Sequence, residues 1–282
     1  MKKLFLLALT ALCGAALTAG AFAAEIERLT PETPDYAELT ALDERIVDWI
    51  NELQEYDDSG ITADVTADDL DWSQAYKMYV DESNLYGQFL QQEMTFDQIA
   101  QAADYTVWVL PVRAQDAVLS VTLAQGVPET GDDQAYAILT EKQLEQLRED
   151  EGNWYPTEIR EQADTADWYE QQIEAAYSGT ISRALILGGS PKLRSAVAIL
   201  ETPDDGLQAI PIGDPRPTGV DPADIGQGEA YPMGEFSAII ERHYGGTADG
   251  TAAAEEAAWP LWCLAGAAAL ALAGLAVYKK RI

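Results

Sequence analysis

The run Tyr105-Thr106-Val107-Trp108-Val109-Leu110 and, after a turn over Arg113 to Asp116, the run Ala117-Val118-Leu119-Ser120-Val121-Thr122-Leu123 decide how this chain folds. The first is apolar or β-prone almost throughout. The second alternates, with Leu119, Val121 and Leu123 on one side. Successive side chains of a strand point to opposite faces, so the alternating run has one buried face and the continuous run has two. The pair reads as an antiparallel hairpin, in which Pro111, with no N–H to donate, ends the central pairing.

Upstream of the hairpin, Thr33-Pro34 opens a helix whose Tyr36, Leu39, Leu42, Ile46, Ile50 and Leu53 recur at three and four residues, up to a stop near Asp57-Asp58-Ser59-Gly60. Ala75 to Val80 is a short extended piece, and Thr95 with Gln98 forms a capping box for a helix over 95–102. Downstream, Gly126, Pro128 and Gly131 break the chain, and Thr140 with Gln143 starts a helix through Leu144 and Leu147.

The second half echoes this order. A helix over 165–177 buries Ala166, Tyr169, Ile173 and Ala176. Strands follow at Ala184–Leu187, Ala196–Leu200 and Leu207–Ile212, and a last helix carries Phe236, Ile239, Ile240 and Tyr244. Five Pro and five Gly between Pro211 and Gly234 mark a long loop. Adjacent strands without helical crossovers favour antiparallel pairing. The expected fold is therefore α+β: one domain with an antiparallel sheet and helices packed on one face, with two similar helix-hairpin-helix halves divided near 125–140 as the alternative.

The two ends read differently. Lys2 and Lys3, the apolar run Leu4 to Leu12 and the small-x-small site Ala21-Phe22-Ala23 form a secretory leader over 1–23, cleaved before Ala24. Residues 259–278 carry no charge, and twenty helical residues span ~30 Å, the thickness of a hydrocarbon core. Trp259 and Trp262 flank one end and Tyr278 the other, with Lys279, Lys280 and Arg281 directly after. That is the aromatic belt followed by the basic residues of a cytoplasmic side. The expected organisation is leader 1–23, exterior acidic domain 24–244, linker 245–258, one membrane-spanning helix 259–278 and a basic tail 279–282. This layout resembles that of surface proteins of Gram-positive bacteria. Where such proteins are joined to the wall, a Leu-Pro-x-Thr-Gly motif precedes the span. Pro215-Arg216-Pro217-Thr218-Gly219 lacks its leading residues and lies too early, which implies a chain retained in the membrane.

Charge narrows the function classes. All 48 acidic residues lie between the two ends, against twelve of the seventeen basic ones. A phosphate backbone would be repelled, so nucleic acid is excluded as a general partner. Both cysteines, Cys13 and Cys263, lie in the end segments, which removes disulfides, thiol nucleophiles and Cys-based zinc sites from the domain. His243 is the lone histidine, and no Gly-x-Ser-x-Gly elbow is present. Two places gather chemistry. Arg183, Lys192 and Arg194, around Gly188-Gly189-Ser190-Pro191, form the least acidic region and could receive an anion through cations and backbone N–H groups. Asp221, Asp224 and Glu229, with Gly226 and Gly228 between them, could offer oxygen ligands to Ca²⁺, although their spacing departs from an Asp-x-Asp-x-Asp-Gly loop. Asp64, Asp68, Asp69 and Asp71 form a second acidic run.

No residue set here assembles into a catalytic centre. The reading is a membrane-anchored exterior binding module without a required cofactor, its ligand or protein partner unidentified. Its rivals are a surface hydrolase of wall glycan or peptide with paired carboxylates, and an accessory subunit of a membrane complex. Protease added to intact cells is expected to remove the acidic domain and leave a small stub in the membrane fraction. An untouched chain, or one recovered whole from the cytosol, contradicts the layout.

Overall fold

In the computed structural model, the residues described are 25–54, 64–114, 117–126, 140–160, 165–188, 193, 195–213, 225–226 and 228–244. The segments expected as leader (1–23), linker (245–258) and span (259–278), with Trp259, Trp262, Tyr278, Lys279, Lys280 and Arg281, lie outside them. Among the described residues no helix is long and apolar enough to cross a membrane.

The chain is α+β, with one eight-stranded sheet in the order β4-β3-β2-β1-β5-β6-β7-β8. The strands are β1 Tyr76–Val80, β2 Tyr105–Ala114, β3 Ala117–Gln125, β4 Trp154–Arg160, β5 Arg183–Gly188, β6 Val197–Thr202, β7 Gly206–Pro211 and β8 Tyr231–Pro232. The helices are α1 Tyr36–Thr40, α2 Asp43–Gln54, α3 Leu85–Gln91, α4 Phe96–Ala102, α5 Glu141–Asp150, α6 Ala166–Ala176 and α7 Met233–Tyr244. The sheet is two meanders, β1 to β4 and β5 to β8, laid back to back. Each is antiparallel throughout, and they meet at β1·β5, which is parallel, with Met78 opposite Ile186 and Val80 opposite Gly188. The expectation of a purely antiparallel sheet is thus corrected at its centre. Both first strands start at the same end of the sheet, so they run parallel where they meet.

Helices cover both faces, which corrects the expectation of one. Alternation along β5 and β6 sorts the side chains. Leu185, Leu187, Val197 and Ile199 pack with Leu85, Tyr86 and Phe89 of α3, Phe96 and Ile99 of α4, and Phe236 and Ile240 of α7. Ala184, Ile186, Ala198 and Leu200 point the other way, onto Ala166, Tyr169 and Ile173 of α6. On the first meander, Trp108, Leu110, Val112, Leu119, Val121 and Leu123 pack with Leu39, Ile46 and Ile50 of α1 and α2. The hairpin reading thus holds in detail, since Val112 faces Leu119 and Leu110 faces Val121 across the β2·β3 ladder. Pro111 does not stop β2, which runs on to Ala114. It lies just past Val109, where pairing with β1 ends, and so breaks no bond on that side. Fully burying each Leu or Ile of these clusters contributes ~1.5–3 kcal/mol, so stability rests on packing.

Other differences are local. The first helix is two, α1 and α2, parted at Ala41 and Leu42. The strand β4 was not legible as one, because Pro156 and the charges of Glu158 and Arg160 interrupt the pattern; it is an edge strand, where both are tolerated. Within the Pro/Gly loop, Tyr231–Pro232 pairs with β7 and Met233 begins α7. The Thr95–Gln98 capping box is present, with Thr95 N–H donating to Gln98 Oε1 at 2.8 Å.

At the β1·β5 seam Gly188 leaves room for the Met78 side chain. A Cβ on Gly188 would lie 2.4 Å from Met78 Sδ. Gly188→Ala is expected to lower the unfolding free energy by ~1–3 kcal/mol in urea titrations, and Met78→Ala in the same chain to recover part of that loss.

Candidate functional site

The direction of the strands decides which loops meet. β1 and β5 end together, β6 begins and β7 ends beside them, and β2 begins on the other side of β1. The described ends of four connections, 81–84, 103–104, 189–196 and 212–230, therefore lie at one end of the sheet, here termed the junction end, and Glu241 in the last turn of α7 lies there too. At that place two adjacent parallel strands send the chain in opposite directions, and a crevice outside such carboxyl ends is the usual ligand position in sheets with parallel pairs.

Asp81 closes the seam. Its N–H donates to the carbonyl of Gly188 at 3.0 Å, and its carboxylate, fully buried, accepts from the N–H groups of Leu85 (3.0 Å) and Ser83 (3.2 Å). Asn84, at φ 70°, adopts the left-handed conformation that Asn tolerates better than most residues, and its side chain caps α3. Asp104 completes the frame: its N–H donates to the carbonyl of Val80 (2.9 Å) and its carboxylate accepts from Glu82 N–H (2.6 Å). Tyr105 Oη donates to Glu82 at 2.9 Å. Behind them Tyr86 is fully buried against Phe236, ring centroids 5.6 Å apart, and its hydroxyl has no hydrogen-bond partner. A buried, unpaired hydroxyl costs ~1–3 kcal/mol.

Burial raises the pKa of Asp81, the N–H groups of Leu85 and Ser83 oppose the rise, and the charge of Asp104 adds to it. Burial likewise pushes the Tyr86 phenol up, with Asp81 contributing.

The predicted site residues divide. Lys192, Arg194, Asp221 and Asp224 lie outside the described residues. Glu229 is described: it accepts from Tyr231 Oη at 2.9 Å, and that oxygen accepts from Gly226 N–H at 2.7 Å. Arg183 belongs elsewhere. It starts β5, five residues from Gly188 and so ~17 Å away. Its guanidinium is held by Glu201 (2.7 Å) and Asp97 (2.5 Å) and lies over the Phe96 ring. The second acidic run is used in structure: Asp69 caps Thr66, whose hydroxyl and N–H groups lower its pKa, and Asp71 pairs with Arg113. Among the described residues no group of three or more His, Cys, Asp or Glu is placed to hold a metal ion. His243 falls in the last turn of α7.

Asp81, Asn84, Tyr86 and Asp104 were missed by the sequence reading. Their signal was available: Asp81-Glu82-Ser83-Asn84 stands directly after a strand and before the apolar Leu85, Tyr86 and Phe89, the signature of a helix start. Comparison with protein-family models, with curated proteins and with solved structures finds no match to this chain.

The raised pKa has a definite sign. Protonated Asp81 is favoured by folding, so its contribution to stability is fully present below the unfolded carboxylate value of ~3.9 and is lost as pH rises through the higher folded value. The unfolding free energy of the wild type relative to Asp81→Asn is therefore expected to rise as pH falls from 7 towards 4. A constant difference across that range in urea titrations contradicts the assignment.

Proposed function

We propose that this chain is a membrane-anchored exterior binding module whose partner engages the junction end. The observation that carries the reading is the meeting, where β1 and β5 end, of a buried carboxylate, a left-handed Asn and a buried tyrosine hydroxyl left unpaired among the described residues. Local rules broken together in one place are where sites are sought.

Position along the domain supports the same reading. α3 and α7 run antiparallel: Gly234 lies beside Phe89, and Glu241 beside Asn84 and Gly87. The chain thus leaves α7 at the junction end. If residues 245–258 are a flexible linker to a span, they reach ~20 Å on average, which directs this end towards the bilayer. A partner held in or near the same membrane fits that placement, which brings the accessory-subunit alternative close to the leading one.

A hydrolase is the second reading, and Asp81 beside Asp104 is the feature that favours it, as a carboxylate pair with one raised pKa. The contacts weigh against it, because both carboxylates accept from backbone N–H groups of the 81–85 turn, which is capping geometry. Release of sugar from wall glycan by the wild type but not by Asp81→Asn would favour this rival. Calcium at Asp221, Asp224 and Glu229 stays within the proposal as an optional ligand, tested by calorimetry at millimolar Ca²⁺; no heat removes it.

The direct test is affinity capture from surface and membrane extract on the full chain. Charge reversal at Glu82 and Glu241 is expected to reduce capture at least tenfold, while Glu158→Lys, towards the other end of β4, leaves it within twofold. Equal losses from both ends contradict the assignment.

A further inference from the structure

The first described residues are built into the sheet. Residues 27–29 run antiparallel along the lower half of β1: Arg28 bridges Tyr76, Leu29 N–H donates to the Ala75 carbonyl (3.0 Å) and Lys77 N–H to the Glu27 carbonyl (2.9 Å). β5 pairs with β1 only from Met78 upward, so this strap takes the pairing positions that β5 leaves at Ala75 and Lys77. Its side chains alternate between the faces. Ile26, 2% exposed, packs in the α6 cluster, and Arg28 reaches Asp167 (2.6 Å) and Glu170 (2.5 Å) of α6. On the opposite face Glu27 meets Lys77 Nζ (3.1 Å) and Tyr79 Oη (3.0 Å). The strap thus joins β1 of the first meander to α6, the helix that leads into the second.

We propose that a seated strap and a retained leader exclude one another, so that leader removal completes the fold. The inference rests on the reading of 1–23 as a cleaved leader. With Arg28 opposite Tyr76 in antiparallel register, Ile26 comes to about the height of Met78, three residues or ~10 Å below Asp81. Ala23 is three residues before Ile26 and can reach at most ~11 Å from it. A leader still crossing the bilayer would end no higher than the rim formed by the exposed Glu82 and Asp104. Seating the strap would therefore press that acidic rim into the headgroup layer, which is ~5–7 Å deep and carries negative charge on anionic lipids. Unseating it forfeits the burial of Ile26 and the ion pairs of Arg28. The cleavage point is likewise only three residues from a buried side chain, so a processing enzyme must act before the strap docks.

The test uses the full chain in bacterial membranes, with N-terminal sequencing and timed protease digestion of the exterior domain. The wild type is expected to begin at Ala24 and resist digestion. The doubly blocked Ala21→Leu, Ala23→Leu chain is expected to keep its leader and be cut at least tenfold faster. Arg28→Ala separates the strap from the leader: processed normally, it is expected to be cut two- to tenfold faster than the wild type. A blocked chain as resistant as the wild type overturns the proposal, as does an Arg28→Ala chain that is processed and equally resistant. If the wild type itself keeps residues 1–23, the leader reading fails. Resistance in that chain overturns the proposal as well, and rapid digestion upholds the exclusion.

Discussion

The parallel seam between β1 and β5 is the constraint from which the rest of the architecture follows. Each meander is a local object, built by pairing strands adjacent in sequence. The seam is not local, since it joins Met78 to Ile186 and Val80 to Gly188 across more than a hundred residues. Closing so long a loop is entropically costly, and the return must come from burial on both faces at once. That is what the sequence provides: β5 and β6 are apolar on both sides, with α3, α4 and α7 over one face and α6 over the other. The strap over 27–29 completes the stretch of β1 that the seam leaves open.

The same seam organises the polar groups. Strands that end side by side leave backbone groups to be satisfied, and Asp81, Asn84 and Asp104 do so with side chains aimed at backbone N–H groups. Elsewhere the scarce cations are engaged. Arg28, Arg45, Lys77, Arg113, Arg148, Arg160 and Arg183 each meet at least one carboxylate. Most are exposed pairs worth ~0–1 kcal/mol apiece. Their larger consequence is electrostatic: 48 acidic residues against 17 basic ones leave a net charge of −31, and the field around the domain is negative. Anionic polymers and headgroups are held off, and cationic surfaces are drawn in.

What could be read from the residues alone was whatever is local. The 105–123 hairpin, the Thr95–Gln98 box, the apolar positions Leu39, Ile46 and Ile50 of the first helix stripe and the strands β5 to β7 are set by neighbours close in sequence, and the structure contains each of them. The parallel seam was not legible, because nothing in Met78 or Ile186 names its partner. The placement of α6 on the opposite face was hidden for a related reason: an apolar stripe states that a helix packs, and not against which side. Among the candidate site residues, Arg183 is held by Glu201 and Asp97, partners that its neighbours in sequence do not name. The junction end is an outcome of topology, so its buried members, Asp81 and Tyr86, drew no attention as sequence.

The account stands on the two meanders forming one cooperative sheet through β1·β5. Native-state hydrogen exchange of the full chain measures this directly, through the amides of Met78, Tyr79 and Val80 on one side and Ile186, Leu187 and Gly188 on the other. The account predicts that the protected amides of both strands exchange only through global unfolding, with the same free energy and the same denaturant dependence. Exchange of β5 to β7 as a separate unit, several-fold less protected than β1 to β3, would contradict it.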